Sequence, residues 1–146
     1  MTTLSVAPAA PQPTARSTAR PTARRVGLVL TGLAVAFLAF DVVGKLVGPE
    51  AVRAAMAELG WAASLSPVLG IILAVCTALY VATPTARLGA LLLTGYLGGA
   101  VAANLRVEAP LFTHVLFPLY VAAFVWGGLA LRDPAVRAFF LPRRNA

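Results

Sequence analysis

Four stretches of the chain are apolar all the way round a helical wheel: about Val26–Val47, Leu65–Ala82, Ala86–Asn104 and Leu111–Leu131. A helix whose apolar residues do not keep to one stripe lies either in a large protein core or in lipid. With 146 residues the chain is too short to bury four such helices in a core of its own. The bilayer is therefore the solvent. The first run makes about 33 Å of helix, against roughly 30 Å of hydrocarbon. It also exceeds the apolar region of a cleaved signal peptide, which is about 7–15 residues. The pattern predicts an all-α fold: an integral membrane four-helix bundle.

One piece between the first two runs reads differently. Val52, Ala55, Met56 and Leu59 fall at i, i+3, i+4 and i+7, while Glu50, Arg53 and Glu58 lie elsewhere on the wheel. That spacing predicts a short interfacial helix lying on the membrane surface. Gly48-Pro49 opens it, with proline at the first helical position, Gly60 stops it and Trp61 anchors it. Thr83-Pro84 predicts a tight turn in which Thr83 caps the third span and Pro84 is its first residue. Asp133-Pro134 repeats the device after the fourth span, leaving Phe139, Phe140 and Leu141 to dip into the interface. Ahead of the spans, Pro13-Thr14-Ala15-Arg16, Ser17-Thr18-Ala19-Arg20 and Pro21-Thr22-Ala23-Arg24 are near-copies of one tetrapeptide. They predict a disordered basic tail over residues 1–25. A membrane domain over 26–141 and a basic tail over 142–146 complete the organisation.

Composition strengthens this reading. The chain is 60% hydrophobic and 12% charged, with mean hydropathy +0.85, whereas soluble domains carry about 25% charged residues. The net charge of +7 comes from arginines outside the spans rather than from a coherent basic face, which argues against nucleic acid as a partner. Arg16, Arg20, Arg24, Arg25, Arg87, Arg132, Arg137, Arg143 and Arg144 fall on one side, and Lys45, Arg53 and Arg106 on the other. Basic residues stay on the cytoplasmic side, so both termini are expected to face the cytoplasm across a bacterial inner (plasma) membrane. The single cysteine, Cys76, sits in an apolar run and reads as inert packing. One histidine and one cysteine cannot complete a zinc site or a pair of axial haem ligands, so no metal is expected. Phosphate-loop and nucleophile-elbow motifs are missing from the sequence.

Ionisable groups within a span need a reason, since each costs about 2.5–3.5 kcal/mol at mid-helix. Asp41 lies inside the first span, with Lys45 four residues on along the same face. With the spans alternating in direction, these two share one leaflet with Asn104 and Arg106 from the third span and His114 from the fourth. Ser64 and Ser66 open the second span from the same side. A polar cluster of Asp41, Lys45, Asn104, Arg106 and His114 is thus expected beneath the surface helix. Each member also has a plainer reading: an ion pair that seats a helix, an interfacial histidine, an arginine on a lipid headgroup. Pro118 leaves the carbonyl of His114 without its helical donor, which predicts a local kink. In the third span Gly95, Gly99 and Ala103 are spaced four apart, flanked by Gly98 and Ala102. Small residues at that spacing predict close helix packing within the bundle, or alternatively a contact in a homo-oligomer.

Phe40-Asp41-Val42-Val43-Gly44-Lys45-Leu46, Leu93-Thr94-Gly95-Tyr96-Leu97-Gly98-Gly99-Ala100, His114-Val115-Leu116-Phe117-Pro118 and Leu131-Arg132-Asp133-Pro134 together resemble the DoxX-like family of small bacterial membrane proteins. The likeness covers about Val26–Leu141. It implies a four-helix membrane fold and little about activity, since most members are proteins of unknown function. Relatives named DoxX are associated with quinone-linked oxidation of sulfur compounds, as small subunits of a larger enzyme. Similar sequences often carry histidine where this one has Asn104, which can hydrogen-bond a carbonyl but cannot shuttle a proton.

Two functional expectations follow. The first is a non-catalytic membrane component that binds an apolar ligand or a partner. The second is a quinone-interacting subunit of a membrane oxidoreductase, in which Asp41, Lys45 and His114 steer a quinone carbonyl and the redox centre belongs to a partner subunit. On its own the chain holds no evident cofactor and is not expected to be an enzyme.

Overall fold

The computed structural model describes residues 21–140, which are almost entirely helical. Helix α1 spans Pro21–Val47, the short α2 Glu50–Glu58, α3 Ser66–Val81, α4 Ala86–Arg106, α5 Phe117–Arg132 and α6 Pro134–Phe140. One-turn 3-10 segments at Ala63–Leu65 and Thr83–Thr85 lead into α3 and α4, and a π turn at Leu111–Val115 leads into α5. Counted with those leading turns, four helices are long and apolar enough to cross a membrane.

The four long helices form a square in section. α1 and α4 occupy opposite corners, each packed against both α3 and α5, while α2 lies against the start of α3 and α6 against α5. Leu38, Leu73, Leu93, Val125 and Leu129 fill the centre with almost no exposure. Tyr80 is fully buried among them. Its hydroxyl donates to the Val125 carbonyl at 2.9 Å and lies 3.3 Å from the Thr31 hydroxyl, which ties three helices at one level. The outside stays apolar: Phe40 is 77% exposed, Leu91 62% and Ile71 57%. In water such a coat would be untenable, and in lipid it is what a spanning bundle presents.

The helix ends follow from particular residues. At the end of α1, Gly48 (φ +63°) donates its N–H to the Gly44 carbonyl at 2.9 Å, a left-handed cap that only glycine adopts without strain. At the end of α2, Gly60 (φ +68°) and Trp61 donate to Ala57 and Met56 at 2.9 and 2.8 Å, the paired bonds of a Schellman cap. α4 ends the same way, with Glu108 (φ +53°) in the position glycine usually fills. Asp133 caps α6 as expected, its Oδ1 accepting the Ala135 N–H at 2.9 Å.

Four expectations are corrected in detail. α1 begins at Pro21 rather than Val26, because Pro21 suits a first helical position and Ala and Arg extend a helix beyond the hydrocarbon. The remainder of the predicted tails, residues 1–20 and 141–146, lies outside the described residues. Pro49 sits in extended geometry (ψ 162°) as the N-cap of α2, one residue before its first helical position. Thr83 does not cap α4 through its side chain; the hydroxyl used in this turn is that of Thr85, which donates to the Leu79 carbonyl at 2.8 Å. Finally, the fourth span is interrupted where a kink is expected. The N–H of Leu116 reaches back five residues to Leu111 at 2.8 Å, and the α-helix restarts at Phe117.

Candidate functional site

α1 and α4 face each other diagonally across the bundle, so the width of the space between them depends on what their facing side chains fill. Towards the Tyr80 level, large side chains fill it. Towards the α2 end, α4 presents Gly95, Gly99, Ala100 and Ala103, and a cavity of about 610 Å³ opens there. That is within the roughly 300–1,000 Å³ usual for small-molecule sites. Phe37, Leu97, Phe117 and Val121 supply apolar wall; the inner face of α2 (Val52, Ala55, Met56, Leu59) roofs it; Trp61 stands at its rim.

Within this chain the glycine stripe does not make the close helix contact that is the first of the two readings its spacing predicts. A Cβ built on Gly95 or Gly99 would meet no atom within 4 Å, and Gly95, Gly99 and Ala103 all line the cavity. Gly95 and Gly99 are exposed and border the cavity without packing against another helix of this chain. Close helix contact falls elsewhere, at Gly89, where a Cβ would lie 2.2 Å from the Tyr80 backbone nitrogen, and at Gly128, 2.9 Å from that of Thr31.

Four of the five predicted cluster members line this one cavity: Asp41, Lys45, Asn104 and His114. Asp41 and Lys45 form an ion pair one helical turn apart, both partly buried. The start of α3 is fixed to that turn, since the buried Ser66 hydroxyl donates to the Lys45 carbonyl at 3.0 Å. Asn104 uses its amide N–H on the Ala100 carbonyl at 2.9 Å, which leaves its side-chain oxygen as an acceptor. His114 shares a hydrogen bond between its Nδ1 and the Thr113 hydroxyl at 2.8 Å, leaving Nε2. The π turn brings His114 and Thr113 to the cavity rim, and it exists because Pro118 offers no N–H to the turn before it.

Arg106, the fifth member, is not part of the cavity wall. Its guanidinium donates to the carbonyl of Leu59 at the C-terminus of α2 and lies against Gly60. A cation there meets the negative end of the α2 dipole. Ser64 is exposed and likewise absent from the wall. The residue that sequence reasoning missed is Tyr96. It lines the cavity from α4, and no partner for its hydroxyl occurs among the described residues. The signal was a tyrosine mid-span among glycines, a bulky polar-tipped side chain where its neighbours leave space.

A family model for the DoxX-like family matches residues 29–128, more than half of the sequence. The chain belongs to the DoxX-like family. The match runs from α1 into α5 and so takes in every helix that lines the cavity. No curated protein and no solved structure matches this DoxX-like chain.

Proposed function

We propose that this DoxX-like protein is a non-catalytic membrane component that binds a small, largely apolar molecule with one neutral polar end in the cavity between α1 and α4. The carrying observation is the pairing of Asp41 with Lys45 on a mostly apolar wall. The pair brings no net charge, so an ionised ligand group would be desolvated without a counter-charge. What it offers, with Tyr96, Asn104 and His114, is a mixture of donors and acceptors suited to a hydroxyl, carbonyl or amide. A quinone is the second reading. Lys45 and the Tyr96 hydroxyl supply donors for a ring carbonyl, and in that case electrons come from a partner subunit. Charge placement supports an orientation in an inner (plasma) membrane with the α2 end away from the cytoplasm. A fluorescent protein fused to the C-terminus should then mature inside cells; fluorescence seen only from an outer-side fusion would reverse the orientation.

Binding is tested by purification in mild detergent, organic extraction and mass spectrometry of whatever co-purifies. Expected is one compound, neutral at pH 7, near stoichiometric in the native protein and depleted at least severalfold in Asp41→Asn and Tyr96→Phe. Only bulk phospholipid, equal in all three samples, would defeat the reading; a quinone would select the second form of it.

A further inference from the structure

The roof of the cavity is built differently from its walls. The walls are long helices packed along their length, whereas α2 is nine residues joined to the bundle by two glycines in left-handed geometry, Gly48 (φ +63°) and Gly60 (φ +68°). α2 turns its apolar face inward, with Met56 buried to 4% exposure, and keeps Glu50 and Arg53 outside, bonded to each other at 2.7 Å. Arg53 also donates to the Gly48 carbonyl at 2.9 Å, so these two polar side chains are satisfied within α2 and its own hinge. Among the described residues, the side-chain hydrogen bond joining the α2 segment to a spanning helix is Arg106 to the Leu59 carbonyl. That bond is exposed, sits beside the Gly60 hinge and holds the end of α2 at the rim where Trp61 stands.

From this arrangement we propose that α2 is a lid: it swings on Gly48 and Gly60, is latched by Arg106, and controls passage into the cavity from the α2 end of the bundle. The proposal rests on the cavity being a binding site, and it deepens that reading by giving the site its gate. Met56 is the plug that leaves the cavity when the lid lifts, and Arg106 sets how often it does so. Glycine is required at both hinges for the closed geometry, and it also allows the widest φ/ψ excursion during opening.

The gate can be tested without knowing the ligand. In a Cys76→Ala background, Val121→Cys places a single thiol on a buried part of the cavity wall, and its reaction with N-ethylmaleimide is timed in lipid nanodiscs. Loss of a charge-assisted bond at an open–closed equilibrium should raise opening by roughly tenfold. Arg106→Ala is therefore expected to speed labelling about tenfold, and Arg106→Lys, which keeps a cationic donor, by much less. Hydrogen exchange should rise in parallel in residues 50–60 and stay unchanged in α3 and α5. Labelling unaltered by Arg106→Ala overturns the lid and leaves passage from lipid between the spans. Faster labelling with unaltered α2 exchange, or exchange raised throughout the bundle, overturns it as well, the last by making Arg106 a structural tie. Neither readout involves a bound molecule, so a lid that opens over a cavity from which nothing is extracted would refute the binding reading alone.

Discussion

At the scale of single residues, glycine does two opposed things in this protein. At Gly89 and Gly128 it lets backbones touch, and at Gly95 and Gly99 it leaves space. Spacing along α4 cannot tell these apart, because a stripe of small residues looks the same whether it meets a neighbouring helix or a hollow. The rotation of α4 about its axis decides, and that rotation is set by Ala86, Gly89, Ala90, Leu93 and Leu97 on its buried face. The variant Gly99→Leu separates the two roles. It exchanges a poor helix former for a good one, a change worth somewhat less than the roughly 0.8–1.0 kcal/mol that separates glycine from alanine in a helix interior, and the space on its wall is open. Expected, with both proteins freed of co-purified molecules, is a melting temperature in nanodiscs equal to or above that of the native protein, whereas a marked drop would mean that the stripe packs.

At the scale of elements, capping is what makes the bundle ends definite, and much of it was legible. Gly48-Pro49, Gly60 and Asp133-Pro134 mark their boundaries in the sequence because left-handed geometry and N-capping each have few residue solutions. The α4 ending was not legible, since Glu108 at φ +53° is an unusual choice there. Nor was the interruption at Leu116, which follows from Pro118 acting together with the π turn. At the α6 end, Asp133 accepts from Arg87 Nε at 2.8 Å and Nη2 at 3.1 Å while capping Pro134–Phe140. The Arg87 hydrogen bond, first, and then the capping amides hold the Asp133 carboxyl below its ordinary range. A depressed folded-state value stabilises above the unfolded value, about 3.9, and that contribution is lost as pH falls through the folded one. Asp133→Asn keeps a cap but drops the charge. It should melt below the native protein at pH 7, and the gap should close as pH falls through the depressed folded value of Asp133; a gap that persists once the carboxyl is protonated would assign the loss to packing instead.

At the scale of the whole molecule, the fold was legible because the bilayer leaves so few solutions. Backbone groups must be satisfied inside each span, so four all-round apolar runs imply four helices. Convergence of Asp41, Lys45, Asn104 and His114 was legible too, from alternation of span direction alone. Depth and facing were not. Arg106 belongs to the roof and Tyr96 to the wall, distinctions that depend on helix rotation and on where α2 ends. What unites these features is a bundle packed tightly at the Tyr80 level and hollow at the α2 end, with a charge-neutral polar rim. The most direct measurement is native mass spectrometry of the intact protein released from detergent, comparing the native chain with Gly99→Leu. A discrete adduct of a few hundred daltons on the native protein, absent from a folded Gly99→Leu, is the expected result. No adduct on the native protein, or the same adduct on both, would contradict a ligand held between α1 and α4.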